Sequence, residues 1–261
     1  MQGRRGIHPK PRGEGVGHSL RKPVGFVGET RPSSPIVYSL PKPPRAIARD
    51  KVNIMADRPA DFIMAILGAP ASGKGTLCKR LANDKRFAHN PPHHVSVGDL
   101  LRAMPSGPDI NGHIAAGTVL PGDELVPILA AHIAGLPHPR ATATSKNLKV
   151  VLLDGFPRSV EQEAIGRKPL ASRGRGAEFP DIAFFFSCPK EVLKARYMAR
   201  RRGVDDEALF EKRYEQHERE SPGVLELYRE RKILIEIDNS RGVNEAYGHF
   251  SRFLEMLLAD D

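Results

Sequence analysis

Short apolar runs alternate with longer amphipathic segments from Phe62 to the C-terminus. Apolar runs bounded by Gly, Pro, Asp or Ser are typical of strands in a buried sheet. We predict four clear strands and a shorter one beginning at His94: Phe62–Leu67, His94–Val97, Val150–Leu153, Ile182–Phe186 and Ile233–Ile237.

The segments between these runs place apolar residues three or four positions apart, which predicts helices. The predicted helices are Lys74–Leu81, Glu191–Arg201, Glu207–Arg229 and Val243–Leu258. Two polar or small-residue stretches, 137–147 and 167–179, are expected to loop out of the fold. Strands alternating with helices predict an α/β fold built on a parallel sheet flanked by helices.

The N-terminal segment has a different composition. Residues 1–50 contain ten Lys or Arg, three Asp or Glu, eight Pro and seven Gly, without apolar periodicity. Such a segment buries too little apolar surface to offset the entropy of ordering it. We therefore expect a disordered basic tail at 1–58 and the folded domain at 59–261. The tail has three open interpretations: a solvated appendage, a mispredicted gene start with the true start at Met55, and an organelle-targeting segment.

The net charge of +9 is concentrated in the tail, because residues 1–50 carry +7 of it. A nucleic-acid-binding tail stays an alternative, but no base-reading motif accompanies the charge, so we do not expect a nucleic-acid partner. The two cysteines, Cys78 and Cys188, lack metal-type spacing and indicate reduced thiols of an intracellular protein. No apolar run is long enough to span a membrane. We expect a cytoplasmic protein, or a mitochondrial one if the tail is a transit peptide.

A glycine-rich segment follows the first predicted strand. It reads Gly68-Ala69-Pro70-Ala71-Ser72-Gly73-Lys74-Gly75-Thr76 and satisfies G-x-x-x-x-G-K between a strand and a helix. In such a loop the backbone N–H groups, the helix N-terminus and the lysine ammonium bind phosphate oxygens. We expect Lys74 to contact the β- and γ-phosphates of a nucleotide, with the Thr76 hydroxyl nearby.

Magnesium binding is expected to be indirect. Gly75 stands where a P-loop usually carries the Ser or Thr that ligates Mg²⁺. Asp154 follows the predicted strand Val150–Leu153, where a carboxylate can orient Mg²⁺ through water. A turn or helix cap is the structural alternative for Asp154.

Three motifs together resemble a known family. They are the loop G-A-P-A-S-G-K-G-T, the segment H-V-S-V-G-D-L-L-R at 94–102, and D-G-F-P-R at 154–158 followed by Gln162. In order and spacing they resemble adenylate kinases and their UMP/CMP kinase relatives, from about Phe62 to the C-terminus. The resemblance implies a P-loop fold with a small helical flap for the nucleoside monophosphate (NMP) at about 96–126 and a minimal lid at about 200–206. It also implies a monomer that reversibly transfers the γ-phosphoryl group of ATP to AMP, giving two ADP, with Mg²⁺ as cofactor.

The resemblance also implies an acceptor site. Arg102 and Arg158 would hold the α-phosphate of AMP, and Gln162 would read its base as in AMP-specific members. Val97 stands where many adenylate kinases carry threonine, so a hydroxyl contact is absent. The implied NMP-binding residues are Val97, Arg102, Thr118, Val119, Leu120, Gly155, Arg158, Gln162, Arg202 and Arg213.

On the donor side, Arg196 and Arg200 stand four residues apart on a predicted helix, a like-charge spacing that an anion would stabilise. The alternative is a solvated face neutralised by Asp205, Glu207 and Glu211. The resemblance implies ATP binding by Ala71, Ser72, Gly73, Lys74, Gly75, Thr76, Arg196, Arg200 and Arg241. It implies catalytic roles for Lys74, Arg158, Arg200, Arg202 and Arg213.

The lid departs most from the family pattern. A single residue, Arg201, separates Arg200 from Arg202, and Val204 takes the place of the first of two paired aspartates, with Asp205 in the second. The short lid and Val97 favour a UMP/CMP kinase as one alternative. The reduced lid and Val204 favour a nucleotide-binding regulatory module without transfer activity as another.

Overall fold

A computed structural model describes residues 60–104, 112–113, 118–139, 148–172, 178–200 and 206–259 of the protein. All of these residues belong to one compact unit. Several features predicted from the sequence lie outside the described residues: the tail at 1–58, the centres of both predicted loops, and the lid residues Arg201, Arg202, Val204 and Asp205.

Five parallel strands form a single sheet in the order β2-β3-β1-β4-β5. The strands are β1 Ala60–Leu67, β2 His93–Ser96, β3 Leu148–Asp154, β4 Ile182–Ser187 and β5 Leu234–Asp238. The central strand pairs with β3 on one side, Ile63 facing Val151, and with β4 on the other, Met64 facing Ile182. The predicted α/β fold with a parallel sheet is therefore confirmed.

Helices connect the strands and cover the sheet. They are α1 Lys74–Ala82, α2 Val97–Ala103, α3 Gly122–Gly135, α4 Val160–Gly166, α5 Lys190–Ala199, α6 Glu207–Glu230 and α7 Val243–Leu258. A short 3-10 turn follows α1 at Lys85–Phe87. Side-chain oxygens cap three of the N-termini: Ser96 on α2, Ser159 on α4 and Asp206 on α6. Each cap satisfies a backbone N–H that the first helical turn leaves open.

The two faces of β1 bury alternate residues, as the pleat requires. Phe62, Met64 and Ile66 pack with residues of α1 and α7 in one hydrophobic cluster. Ile63, Ala65 and Leu67 face the other side and pack with residues of α3 and α6. Helices on both faces explain why β1 reads as a continuous apolar run.

The carboxyl ends of the strands meet along one edge of the sheet. Asp154 at the end of β3 pairs with Ile66 of β1 and with Ser96 of β2, while Ser187 of β4 pairs with Asp238 of β5. Loops following parallel strands therefore converge at this edge, where open α/β sheets bind ligands.

Four details of the prediction need correction. Val97 is not the last residue of β2 but the first of α2, because Ser96 caps the helix there. The predicted helix Glu191–Arg201 ends at Ala199, with Arg200 as its C-cap. The sequence reading missed α3 and α4 as separate helices. The predicted outward loop at 167–179 is wrong at its ends, because Leu170 and Phe179 are buried in the core.

Candidate functional site

The glycine-rich loop joins β1 to α1 at the carboxyl edge of the sheet. Gly73 caps α1 with φ of 91°, a left-handed conformation that favours glycine. A Cβ atom there would lie 2.5 Å from Nδ2 of Asn239. That amide donates a 2.7 Å hydrogen bond to the Ser72 carbonyl. The loop is thus held against the end of β5 by a contact that only glycine at position 73 permits.

Lys74 lies inside this loop. Its Nζ donates to the carbonyls of Gly68 at 2.6 Å and Ala69 at 2.9 Å, and to Oγ of Ser72 at 3.3 Å. Burial lowers the pKa of Lys74 from 10.5 to about 8, and the nearby Asp154 carboxylate partly opposes this shift. A phosphate in the loop would supply the negative charge that favours the protonated ammonium.

A cavity of about 570 Å³ opens at this edge of the sheet. It brings together the predicted site residues that the structure describes, with one exception: Arg241 is exposed and does not line the cavity, although its neighbours Asn239 and Val243 do. Arg202 lies outside the described residues. The predicted residues on the wall are Ala71, Ser72, Gly73, Lys74, Gly75, Thr76, Val97, Arg102, Thr118, Val119, Leu120, Asp154, Gly155, Arg158, Gln162, Arg196, Arg200 and Arg213.

Gln162 connects two walls of the cavity. Its Oε1 accepts a 2.9 Å hydrogen bond from the Arg158 backbone N–H, and its Nε2 donates a 2.8 Å bond to the Leu120 carbonyl. The side chain is only 1% exposed. Both ends of the amide are therefore oriented by backbone groups, which fixes the direction of the lone pair and hydrogen that each end has left.

The two arginines expected at the acceptor phosphate have different supports. Nε of Arg158 donates to the Gly155 carbonyl at 3.1 Å, which leaves its terminal nitrogens for other partners. Arg102, in the last turn of α2, donates to the Asp99 carboxylate one turn earlier. Binding an anion at Arg102 would compete with this exposed pair, a competition of small energetic cost.

A second group of arginines surrounds Tyr197. The Arg200 guanidinium lies 4.0 Å from the ring centroid, and Nη1 of Arg213 donates a 2.7 Å hydrogen bond to the tyrosine hydroxyl. Arg196 donates to Sγ of Cys188 at 3.6 Å. The buried ring of Tyr197 thus positions cations from α5 and α6 on one side of the cavity.

Asp154 explains the unusual glycine in the P-loop. A Cβ atom on Gly75 would approach Oδ2 of Asp154 to 3.2 Å, so a side chain there would crowd the carboxylate. Asp154 also contacts Nε2 of His94 at 3.2 Å. A single carboxylate beside the phosphate loop, with the Thr76 hydroxyl on the same cavity wall, fits Mg²⁺ held mainly through water and nucleotide phosphates.

Helix α6 contributes a polar stripe that the sequence reading did not assign to the site. The stripe continues from Arg213 along one helix face and comprises Gln216, His217, Glu220, Ser221 and Val224. Spacing of three and four residues from Arg213 was the available signal. Charged residues on this helix were instead read as part of a solvated face.

His217 is the buried member of this stripe. Its ring stacks on Phe185 at 6.2 Å between centroids, and Nδ1 lies 2.6 Å from Oγ of Ser221. Burial lowers the pKa of His217 from 6.5 to about 4, and the charges of Lys74 and Arg158 lower it further. The imidazole is therefore neutral at neutral pH.

Comparison with known proteins identifies the family. A family model described as adenylate kinase matches residues 66–233. The chain is 32% identical over 203 residues to UMP-CMP kinase 2 of Oryza sativa subsp. japonica, covering 75% of each chain. It is 30% identical over 207 residues to adenylate kinase of Campylobacter concisus (strain 13826), covering 75% of this chain and 98% of that one. UMP-CMP kinase of Mus musculus is 25% identical over 206 residues, with 74% and 97% covered.

The chain belongs to the adenylate kinase family. It is a nucleoside monophosphate kinase, and a member of this family binds ATP and a nucleoside monophosphate. The family match spans the phosphate loop, the cavity and most of α6. Among the described residues, no helix combines the length and apolarity needed to cross a membrane.

Proposed function

We propose that this kinase transfers the γ-phosphoryl group of ATP to AMP and so forms two ADP. The observation that carries the proposal is the fixed amide of Gln162 on the cavity wall. After its two backbone bonds, Nε2 keeps one hydrogen and Oε1 keeps one lone pair. This donor and acceptor match N1 and the exocyclic amine of adenine.

The acceptor phosphate would lie between Arg102 and Arg158. Both line the cavity, and the planar guanidinium suits bidentate contact with phosphate oxygens. With the base at Gln162, four residues beyond Arg158, the phosphate of AMP is directed toward the P-loop. Such an arrangement places acceptor and donor for direct transfer.

Charge neutralisation and positioning account for the chemistry, because phosphoryl transfer needs no covalent intermediate. Lys74 would follow the β- and γ-phosphates, while Arg200 and Arg213 would stabilise the transferred group from the opposite side. Mg²⁺, oriented by Asp154 through water, would supply further positive charge at the phosphates. Arg202 and the minimal lid stay predictions for the remaining donor contacts and for exclusion of water.

A UMP/CMP kinase is the second candidate. Two of the relatives named above are UMP-CMP kinases, from rice and mouse. Cytosine presents the same acceptor and amine pair as adenine, so the amide of Gln162 does not by itself exclude it. Val97, buried on the cavity wall, offers no hydroxyl to any base.

The decisive test is ADP formation from Mg·ATP with AMP, UMP, CMP or GMP offered singly at equal concentration. We expect kcat/KM for AMP to exceed that for each other acceptor by at least about tenfold, corresponding to about 1.4 kcal/mol. A preference for UMP or CMP would replace the proposal by the second candidate. ATP binding without turnover of any acceptor would favour the regulatory module.

A further inference from the structure

Three side chains converge beneath the phosphate loop from three separate elements. Cys78 comes from α1, His94 from β2 and Asp154 from the end of β3. One ligand atom from each, a sulfur, a ring nitrogen and a carboxylate oxygen, lies within 4.8 Å of the other two. The tightest printed contact is 3.2 Å, between Nε2 of His94 and Oδ2 of Asp154. Phosphoryl transfer as proposed above gives no role to Cys78 or His94.

These three donors are the set that zinc prefers. Zinc takes thiolate sulfur at about 2.3 Å and imidazole nitrogen or carboxylate oxygen at about 2.0 Å, in tetrahedral geometry. Tetrahedral ligands at those distances stand roughly 3.5 Å apart. The three side chains reach that separation through an adjustment of about 1 Å or less. Magnesium, in contrast, does not take thiolate ligands.

We propose that Cys78, His94 and Asp154 form an inhibitory site for a thiophilic divalent cation of the zinc type, with the fourth position open toward the nucleotide cavity. His94 and Asp154 line that cavity, so an entering ion meets them first. Cys78 is fully buried behind them and closes the site from the side of the core.

Charge balance supports the assignment. On binding, the thiol proton of Cys78 leaves to solvent, and the thiolate and the Asp154 carboxylate together balance the two charges of the cation. The ammonium of Lys74 is the nearest opposing charge, and in this structure it is turned into the loop by the carbonyls of Gly68 and Ala69. An ion in the site occupies the carboxylate that would otherwise orient magnesium. Zinc and catalytic Mg·ATP are therefore expected to exclude each other.

The test is metal binding by the full chain, measured by equilibrium dialysis with Zn²⁺ and by absorption spectroscopy with Co²⁺ as a probe. Wild type is expected to bind one ion with a thiolate-to-cobalt charge-transfer band. Cys78→Ala is expected to lose that band and to weaken Zn²⁺ binding by at least about 100-fold. Cys188→Ala removes the other cysteine, which contacts Arg196, and is the matched control that keeps both.

Two further measurements exclude trivial explanations. Circular dichroism and the thermal midpoint report whether Cys78→Ala folds, and Cys78→Ser repeats the test with a smaller change in volume. Histidines elsewhere in the chain are the same in all variants, so they cannot create the difference between the Cys78 and Cys188 variants. Equal Zn²⁺ affinity in those variants, or a wild-type cobalt spectrum without the thiolate band, would overturn the proposal. The binding readout holds whichever nucleotide is the acceptor.

Discussion

At the scale of single residues, the absence of a side chain at Gly75 has a mechanistic consequence. A Cβ there would lie 3.2 Å from Oδ2 of Asp154. We expect Gly75→Thr to displace that carboxylate, to raise the Mg²⁺ concentration needed for half-maximal rate, and to lower kcat about tenfold or more. Steady-state rates over a range of Mg²⁺ concentrations measure both effects.

A matched control is Gly248→Ala, because a Cβ at that helical glycine meets nothing within 4 Å. This change should leave kcat and its Mg²⁺ dependence unaltered, and should stabilise α7 by up to about 1 kcal/mol. If Gly75→Thr kept the wild-type magnesium dependence, the role assigned to Asp154 would be wrong.

His217 predicts a pH dependence of stability. Its pKa is lowered to about 4 in the folded protein by burial and by the charges of Lys74 and Arg158. The unfolded chain has the ordinary value of about 6.5 and therefore binds this proton first as pH falls. Stability is retained above pH 6.5 and is lost between pH 6.5 and 4.

Removing the imidazole should remove this loss. From pH 7 to pH 5, we expect wild type to lose about 2 kcal/mol more of its unfolding free energy than His217→Gln does. Urea denaturation of both proteins at the two pH values measures the difference. Ser221→Ala, which removes only the partner of Nδ1, should keep most of the pH dependence. Equal losses in wild type and His217→Gln would mean that the imidazole is not held neutral.

At the scale of elements, apolar spacing was sufficient where a helix packs one clean face on the sheet. The predicted bounds of α7 agree with the structure, because its buried residues recur every three or four positions from Ala246 to Leu257. The strands are correct to within two residues. Helix α3 was missed because Pro127 and two glycines signal a break. Its buried residues Leu125, Val126, Leu129 and Ile133 pack firmly enough on the core to override that signal.

Helix α4 was missed for another reason: its seven residues include charged side chains whose partners come from distant segments. Glu163 is fully buried and accepts hydrogen bonds from Arg167 at 2.6 and 3.1 Å and from Arg231 at 3.0 Å. Arg231 caps α6 and also donates to the Phe179 carbonyl. No spacing rule reveals such a partner, since it lies 68 residues away.

This buried carboxylate predicts a large stability effect for a small change. Glu163→Gln keeps the shape but removes the charge that the two arginines share, so we expect a loss of about 2 kcal/mol in the unfolding free energy. Glu161→Gln, on the exposed side of the same helix, should change it by less than about 0.5 kcal/mol. Urea unfolding distinguishes the two. Similar values for both variants would show that the network around Glu163 adds no more than a surface pair.

At the scale of the whole molecule, the sequence predicted the phosphate loop, the acceptor arginines and Gln162 because each follows the end of a strand. It did not predict that the amide of Gln162 would bind two backbone groups, since Leu120 lies 42 residues away. It also did not place His217 and Glu220 on the cavity wall. That placement depends on how α6 crosses the sheet, which local spacing does not specify.

The basic N-terminal segment gives the last prediction. It carries +7 of the net charge of +9, while the phosphate loop and the cavity begin only after residue 67. Because no residue on the cavity wall precedes Leu67, a protein beginning at Met55 should keep kcat and both KM values within about twofold. Binding to a nonspecific DNA duplex at low salt tests the tail separately. If the tail binds nucleic acid, the full chain should show an affinity that falls steeply with salt, and the shortened protein should lack it. A large loss of kcat on shortening would instead mean that the tail takes part in the kinase site, which contradicts the predicted boundary between tail and domain.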